Sequence, residues 1–206
     1  MKYCWILVLM FTAGGFHAHA QQPQEMNTDA TAPLPYRAIP DYAETFTPGT
    51  VVARFLDGLG YRYYWATEGL SETDLAYRPS EDARSTDETL DHLYGLSQTI
   101  LNAAMKKPNV RPQPQETLSF EEKRRKTLEN IQAASNLFRA SSPEEASSFK
   151  IVFQRGDNSF ELPFWNLMNG HITDAIYHVG QVVSFRRSSG NPMNPNVNVL
   201  MGKTRE

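Results

Sequence analysis

Four long stretches of this chain repeat apolar residues at the spacing of an α-helix, and proline-bearing stretches stand between them. A periodic face of that kind must be buried against another element, which limits the chain to helix-on-helix architectures before any residue has a role. The first stretch follows Pro48. Val51, Val52, Phe55, Leu56 and Leu59 share its face, and Tyr63, Tyr64 and Trp65 continue it to about Gly69. Gly58 and Gly60 interrupt it at a cost of about 1 kcal/mol each relative to alanine, which predicts close approach of another helix there. The second opens at Thr86, where Ser85 and Glu88 have the spacing of a capping box. Leu90, Leu93, Tyr94, Leu96, Ile100 and Leu101 form its stripe, and Pro108 ends it. The third opens after Ser119, whose spacing to Glu122 repeats the box, and turns Leu128, Ile131, Ala134, Leu137 and Phe138 inward. Its basic run, Lys123 to Lys126, reads as a solvated face. The fourth runs from Pro163 to Ser188.

Before the fourth helix, Phe149, Ile151 and Phe153 alternate up to Gly156-Asp157-Asn158, and Phe160 and Leu162 resume the alternation. That pattern predicts a small hairpin. The expected fold is therefore all-α, a four-helix bundle over residues 48–190 with a small β-hairpin before the last helix.

The flanks read differently. Lys2, an apolar run from Cys4 to Phe16 and the small-x-small step Ala18-His19-Ala20 have the layout of a secretory signal peptide over residues 1–20. The run falls short of the about 20 residues a membrane span needs, and no later stretch reaches that length. Cleavage after Ala20 would deliver the chain to the periplasm or the exterior, and would remove its single cysteine, leaving no disulfide and no thiolate metal ligand. Residues 21–47 are polar and broken by Pro23, Pro33, Pro35 and Pro40, and read as a linker and N-terminal arm. Residues 191–206 read as an Asn- and Pro-containing tail. A net charge of −3 argues against a nucleic acid as partner.

Chemistry concentrates in the histidines. Of five, His17 and His19 fall in the leader, which leaves His92, His171 and His178, each in a helical segment. At about 100° per residue, His171, Asp174 and His178 fall within roughly a 60° arc of the last helix. His171 and His178 are about 10 Å apart along a regular helix axis, too far to share one ion comfortably. The compact pairs are Asp174 with His178, or His171 with Asp174, and His92 could complete either. Imidazoles with a carboxylate suit a borderline divalent metal such as zinc or nickel. Three protein ligands would leave positions open for water or a small-molecule substrate, with Asp174 as ligand or as general base.

At these residues the chain resembles the DinB-like (YfiT-like) family of four-helix bundle proteins. The resemblance spans about residues 50 to 190. It rests on Arg78-Pro79-Ser80, on Ser85 to His92-Leu93, on Trp165 to His171, and on His178-x-Gly180-Gln181 with Arg186 or Arg187 and Gly190 behind it. It implies a metal triad of one histidine from the second helix and two from the last, and a homodimer packed through helices. His92 matches the first ligand and His178 the last. Four residues before His178 the family usually has histidine, and here stands Asp174. His171 could replace the missing ligand or support the site by a hydrogen bond. Some members are thiol transferases or thiol-dependent isomerases.

Three functions compete at this stage. The first is an exported metal-dependent hydrolase or transferase, any thiol nucleophile coming from a cosubstrate. The second is a non-catalytic bundle that holds a metal or small ligand. The third is a metal-free bundle whose histidines satisfy one another and Asp174. Gln181 reads as a hydrogen-bond partner for a ligand histidine or as a link between helices. Arg186 or Arg187 reads as an anion holder or a helix-end charge. Trp165 and Tyr64 read as core residues.

Overall fold

Four helices of this chain begin where a side-chain oxygen meets the first free N–H groups. The computed structural model describes residues 32–113, 116–146 and 148–205; the leader expected over residues 1–20, with Cys4, His17 and His19, lies outside them. Helix α1, Pro48–Thr67, is opened by Thr47, whose hydroxyl accepts from the Thr50 N–H while Thr50 accepts from the Thr47 N–H. Ser71 and Asp74 do the same for the short helix α2, Glu72–Ala76. The two boxes expected from sequence form as well, Ser85 with Glu88 on α3, Thr86–Ala104, and Ser119 with Glu122 on α4, Phe120–Ala140.

After the short helix α5, Pro143–Ala146, the chain makes the expected hairpin from β2, Lys150–Arg155, and β3, Asn158–Pro163, with Phe153 opposite Phe160 and Ile151 opposite Leu162. A two-residue strand β1, Asn109–Val110, joins β2 in parallel, held by the buried Asn109 amide, which donates to the Val152 carbonyl. A last helical run follows without a break in αR backbone: α6, Phe164–Asn166, a π-helical segment Leu167–Ile172, and α7, Thr173–Ser188. The chain is thus mostly helical with small sheets.

Helices α1 and α3 both pack along α4, and α7 packs against both α1 and α3. Their apolar faces meet in one core, in which Leu56, Leu59, Leu90, Ile100, Leu128, Ile131 and Leu167 are almost wholly sealed from solvent. Complete burial of each such side chain contributes about 1.5–3 kcal/mol before conformational entropy is charged against it. Phe149 closes one end against Phe138, ring centroids 4.8 Å apart. No described helix is long and apolar enough to cross a membrane.

Several sequence expectations change here. Residues 33–47 do more than lead to the helices, because Tyr36 and Ile39 are buried in the core. Gly60 makes room for an aromatic ring rather than for a helix. A Cβ there would lie 2.3 Å from the Tyr36 ring, whose hydroxyl donates to Asp57. Residues 191–205 are not a free tail. Strands β4, Val197–Asn198, and β5, Lys203–Thr204, pair with each other, and the Gly202 carbonyl accepts from the Ile39 N–H at 2.8 Å. The basic run on α4 is only partly a solvated face. Lys123 is 3 % exposed and pairs with Asp87 and Asp91, at 2.7 and 2.6 Å. Arg124 lies over the Tyr64 ring and pairs with Glu68. A buried ammonium flanked by two carboxylates fastens α4 to α3 where periodicity alone showed only charge.

Candidate metal centre

The π-helical segment decides which of the three histidines come together. In a π turn the backbone bonds skip one residue further than in an α-helix, and the Thr173 N–H here reaches the Met168 carbonyl, which also accepts from the Thr173 hydroxyl at 2.7 Å. His171 sits inside this segment, so the regular 100° step that would align it with Asp174 does not hold there. Asp174 and His178 lie beyond it, on regular helix, and their i,i+4 spacing places them one above the other.

Helix α3 brings His92 to the same point. Donor atoms of His92, Asp174 and His178 all lie within 4.8 Å of one another, and the group could hold a metal ion. Asp174 stands between the rings: its Oδ2 is 3.2 Å from His92 Nε2 and its Oδ1 is 3.4 Å from His178 Nε2. The two imidazoles meet edge to face, centroids 4.6 Å apart. Tetrahedral coordination with bonds of about 2.0–2.1 Å puts neighbouring donors roughly 3.3 Å apart, and each histidine–aspartate spacing is of that order, though each is to a different carboxylate oxygen.

His178 is further set by Gln181, one turn on. His178 Nδ1 lies 2.7 Å from the Gln181 amide oxygen, so the tautomer protonated at Nδ1 donates to it. Nε2 then carries the lone pair and faces an oxygen of Asp174. Two acceptors at that spacing repel unless a cation lies between them. Fixing the far nitrogen of a ligand histidine in this way is how neighbouring residues tune a metal site.

His171 stands apart from the three donors. Its Nδ1 is buried without a hydrogen-bond partner, and its ring lies 6.2 Å from that of Phe153 on β2. It remains close enough for Asp174 and His92 to act on it through space. Burial lowers the pKa of His171 and outweighs the pull of Asp174. Burial likewise lowers that of His92, aided by His178 and Arg84 and opposed by Asp174. Both rings are thereby biased toward the neutral form, the one that offers a lone pair.

This has a sign. The unfolded chain protonates its histidines near pH 6.5, and the folded chain resists doing so. Stability from these groups is therefore present above about pH 6.5 and lost as pH falls through the lowered values. The metal-free protein is expected to unfold at lower urea concentration at about pH 5.5 than at about pH 7.5, where carboxylates are ionised in both buffers. Equal midpoints for the wild type would show that the two rings carry no such bias.

Other residues singled out in the sequence fall elsewhere. Tyr64 is buried as expected, whereas Trp165 is 76 % exposed on α6 and is no core residue. Tyr94, part of the expected stripe of α3, turns to Glu116. Beside the site, the exposed Tyr177 has its ring 5.3 Å from that of His178. Arg186 is neither anion holder nor surface charge. It is buried, with its guanidinium on the Trp65 and Ala66 carbonyls. Gly95, one turn after His92, and Gly170, beside His171, have nothing within 4 Å of where a Cβ would stand. Helix glycines without a packing cause leave open space next to the histidines. Periodicity could not have found Phe153, since a strand residue beside a helix histidine carries no local signal. No family model, no curated protein and no solved structure matches the chain.

Proposed function

We propose that His92, Asp174 and His178 bind one divalent ion, zinc or nickel, and that the chain is an exported, DinB-like metal-dependent enzyme of the hydrolase or transferase class. Its four long helical runs would then form the four-helix bundle of that family. The observation that carries this reading is the meeting of two imidazole nitrogens and a carboxylate from two helices, all within 4.8 Å of one another. Three protein donors leave coordination positions for water or substrate, the arrangement of catalytic rather than structural sites. When bound, such an ion lowers the pKa of a coordinated water toward neutrality.

The residues divide the work in this reading. His92 and His178 supply the nitrogen donors, and the lowered pKa of His92 favours its neutral form, which offers a lone pair. Asp174 supplies the negative charge that offsets the ion. Gln181 holds the His178 ring in place. His171, on the edge of the group with a buried, unpartnered Nδ1, is placed to support a ligand. The open positions beside Gly95 and Gly170 give a substrate room to approach the backbone.

A second reading has its own support. His92 Nε2 as a donor to Asp174 at 3.2 Å would satisfy both groups without an ion, which is the metal-free bundle. Metal analysis of the untagged mature protein separates the two. About one zinc or nickel per chain is expected, retained through gel filtration and removed by a chelator. Absence of metal after incubation with both ions would overturn the proposal and leave the hydrogen-bonded cluster.

A further inference from the structure

On the far side of α7 from the histidines lies a second recess. Ile176 is two residues from both Asp174 and His178, about 200° around the helix from each, and it lines a cavity of about 670 Å³ between α1 and residues 41–46. That volume falls in the range of small-molecule sites, about 300–1,000 Å³. Its walls are mainly apolar: Val51 and Phe55, one turn apart on α1, with Phe46 opposite and Ile176 behind. Phe46 is 94 % exposed and Phe55 51 % exposed, an apolar pair left open to solvent at the recess.

Charge in the recess is uneven. Arg54 and Arg62 lie two turns apart on α1, about 12 Å along its axis. Neither has a carboxylate partner among the described residues. Arg54 donates to the Pro40 carbonyl and covers the Tyr42 ring, and Arg62 donates only to the Gly58 carbonyl of its own helix. The acidic lining residues do not answer them. Asp57 is buried and already saturated by Tyr36, Ser135 and Arg139. Asp41 is almost fully exposed and turns toward Lys203, and Glu44 is exposed on the arm.

We infer that this recess binds a small amphiphilic anion, a single apolar chain carrying one carboxylate. Arg62 takes the anionic group, and Phe55, Val51, Phe46 and Ile176 take the chain. A guanidinium is suited to this because its planar donor fork matches a carboxylate. Mostly apolar walls with a few convergent polar groups are the usual composition of a small-ligand site. The concave shape between arm and helix favours a small molecule over a second copy of the chain, which would need a broad face.

The test is calorimetric titration of the full chain with decanoate and, separately, with decanol. Saturable one-to-one binding of decanoate is expected, with decanol and the Arg62→Gln variant each weaker by about tenfold or more, the size of a charge-assisted hydrogen bond. Phe55→Ser is expected to weaken both compounds alike. Circular dichroism of each variant checks the fold, and Arg62 makes no tertiary bond whose loss would endanger it. Binding is expected to survive a chelator and His178→Ala, which separates this inference from the metal reading. Equal affinity for decanoate and decanol, no effect of Arg62→Gln, or no binding at all would overturn it. So would a concentration-dependent dimer that Phe55→Asp dissolves, since a second copy would then be the occupant.

Discussion

Replacing His178 with alanine is expected to abolish stoichiometric metal binding while leaving the fold standing. The polar partners of His178, Asp174 and Gln181, lie on its own helix, and across helices its ring meets that of His92 edge to face, a small contact beside the apolar core. Its loss leaves one imidazole and one carboxylate, too few to hold an ion against water. His92→Ala should have the same effect from the other helix. Gln181→Ala is the graded control: it keeps all three donors and removes only the partner of His178 Nδ1, a change that usually costs about 10–100-fold in affinity. Metal content after dialysis and a zinc titration of each variant check the order. Thermal unfolding adds an independent reading, because zinc at about 100 times its Kd stabilises the folded state by about 2.7 kcal/mol, and that gain should vanish in His178→Ala. A His178→Ala protein that still carries one ion per chain would place the ion elsewhere.

Arg186→Met is expected to destabilise the fold by about 3–5 kcal/mol. The end of α1 leaves carbonyls without helical partners, and no basic residue lies in its last turn. Arg186 supplies the missing charge from α7. Its Nη1 donates to the Trp65 and Ala66 carbonyls, both at 3.0 Å, while Nε and Nη2 hold the Asn191 carbonyl and side chain at 2.8 and 3.1 Å. Asn191 in turn reaches the buried Asp74, which also accepts from Ser189 and Ser71. Burial pushes the Asp74 carboxyl up, but these donors outweigh it and hold it well below the usual carboxylate range. Methionine fills the space and leaves four acceptors unpaired. Lysine should recover only part of the loss, because a point charge cannot span the fork. Urea unfolding decides, and a cost under about 1 kcal/mol would mean that water replaces the guanidinium freely.

The sequence carried the helices well because their signals are local. Ser85 with Glu88 and Ser119 with Glu122 are three residues apart, and both boxes form. The hairpin around Gly156-Asp157-Asn158 was legible for the same reason. Asp174 and His178 could be paired from their spacing, and His92 was added by resemblance as much as by pattern. The π-helical segment was not legible. Its residues, Leu167 to Ile172, are compatible with ordinary helix, and His171 lies within it. Arg186 was misread because its partners lie 120 and 121 residues away. Nothing within one helix turn distinguishes a guanidinium that caps another helix from one in water.

Tyr36 and Ile39 enter the core close to where Gly202 leaves it, and a backbone hydrogen bond between Ile39 and Gly202 clasps the two segments together. The path through the domain is therefore nearly a closed loop. Joining residues near 33 to residues near 205 through a short linker, and opening the chain at the exposed Gly156-Asp157 turn, would give a circular permutant with the same core. The order in which the helices are made would change, and the contacts among them would not.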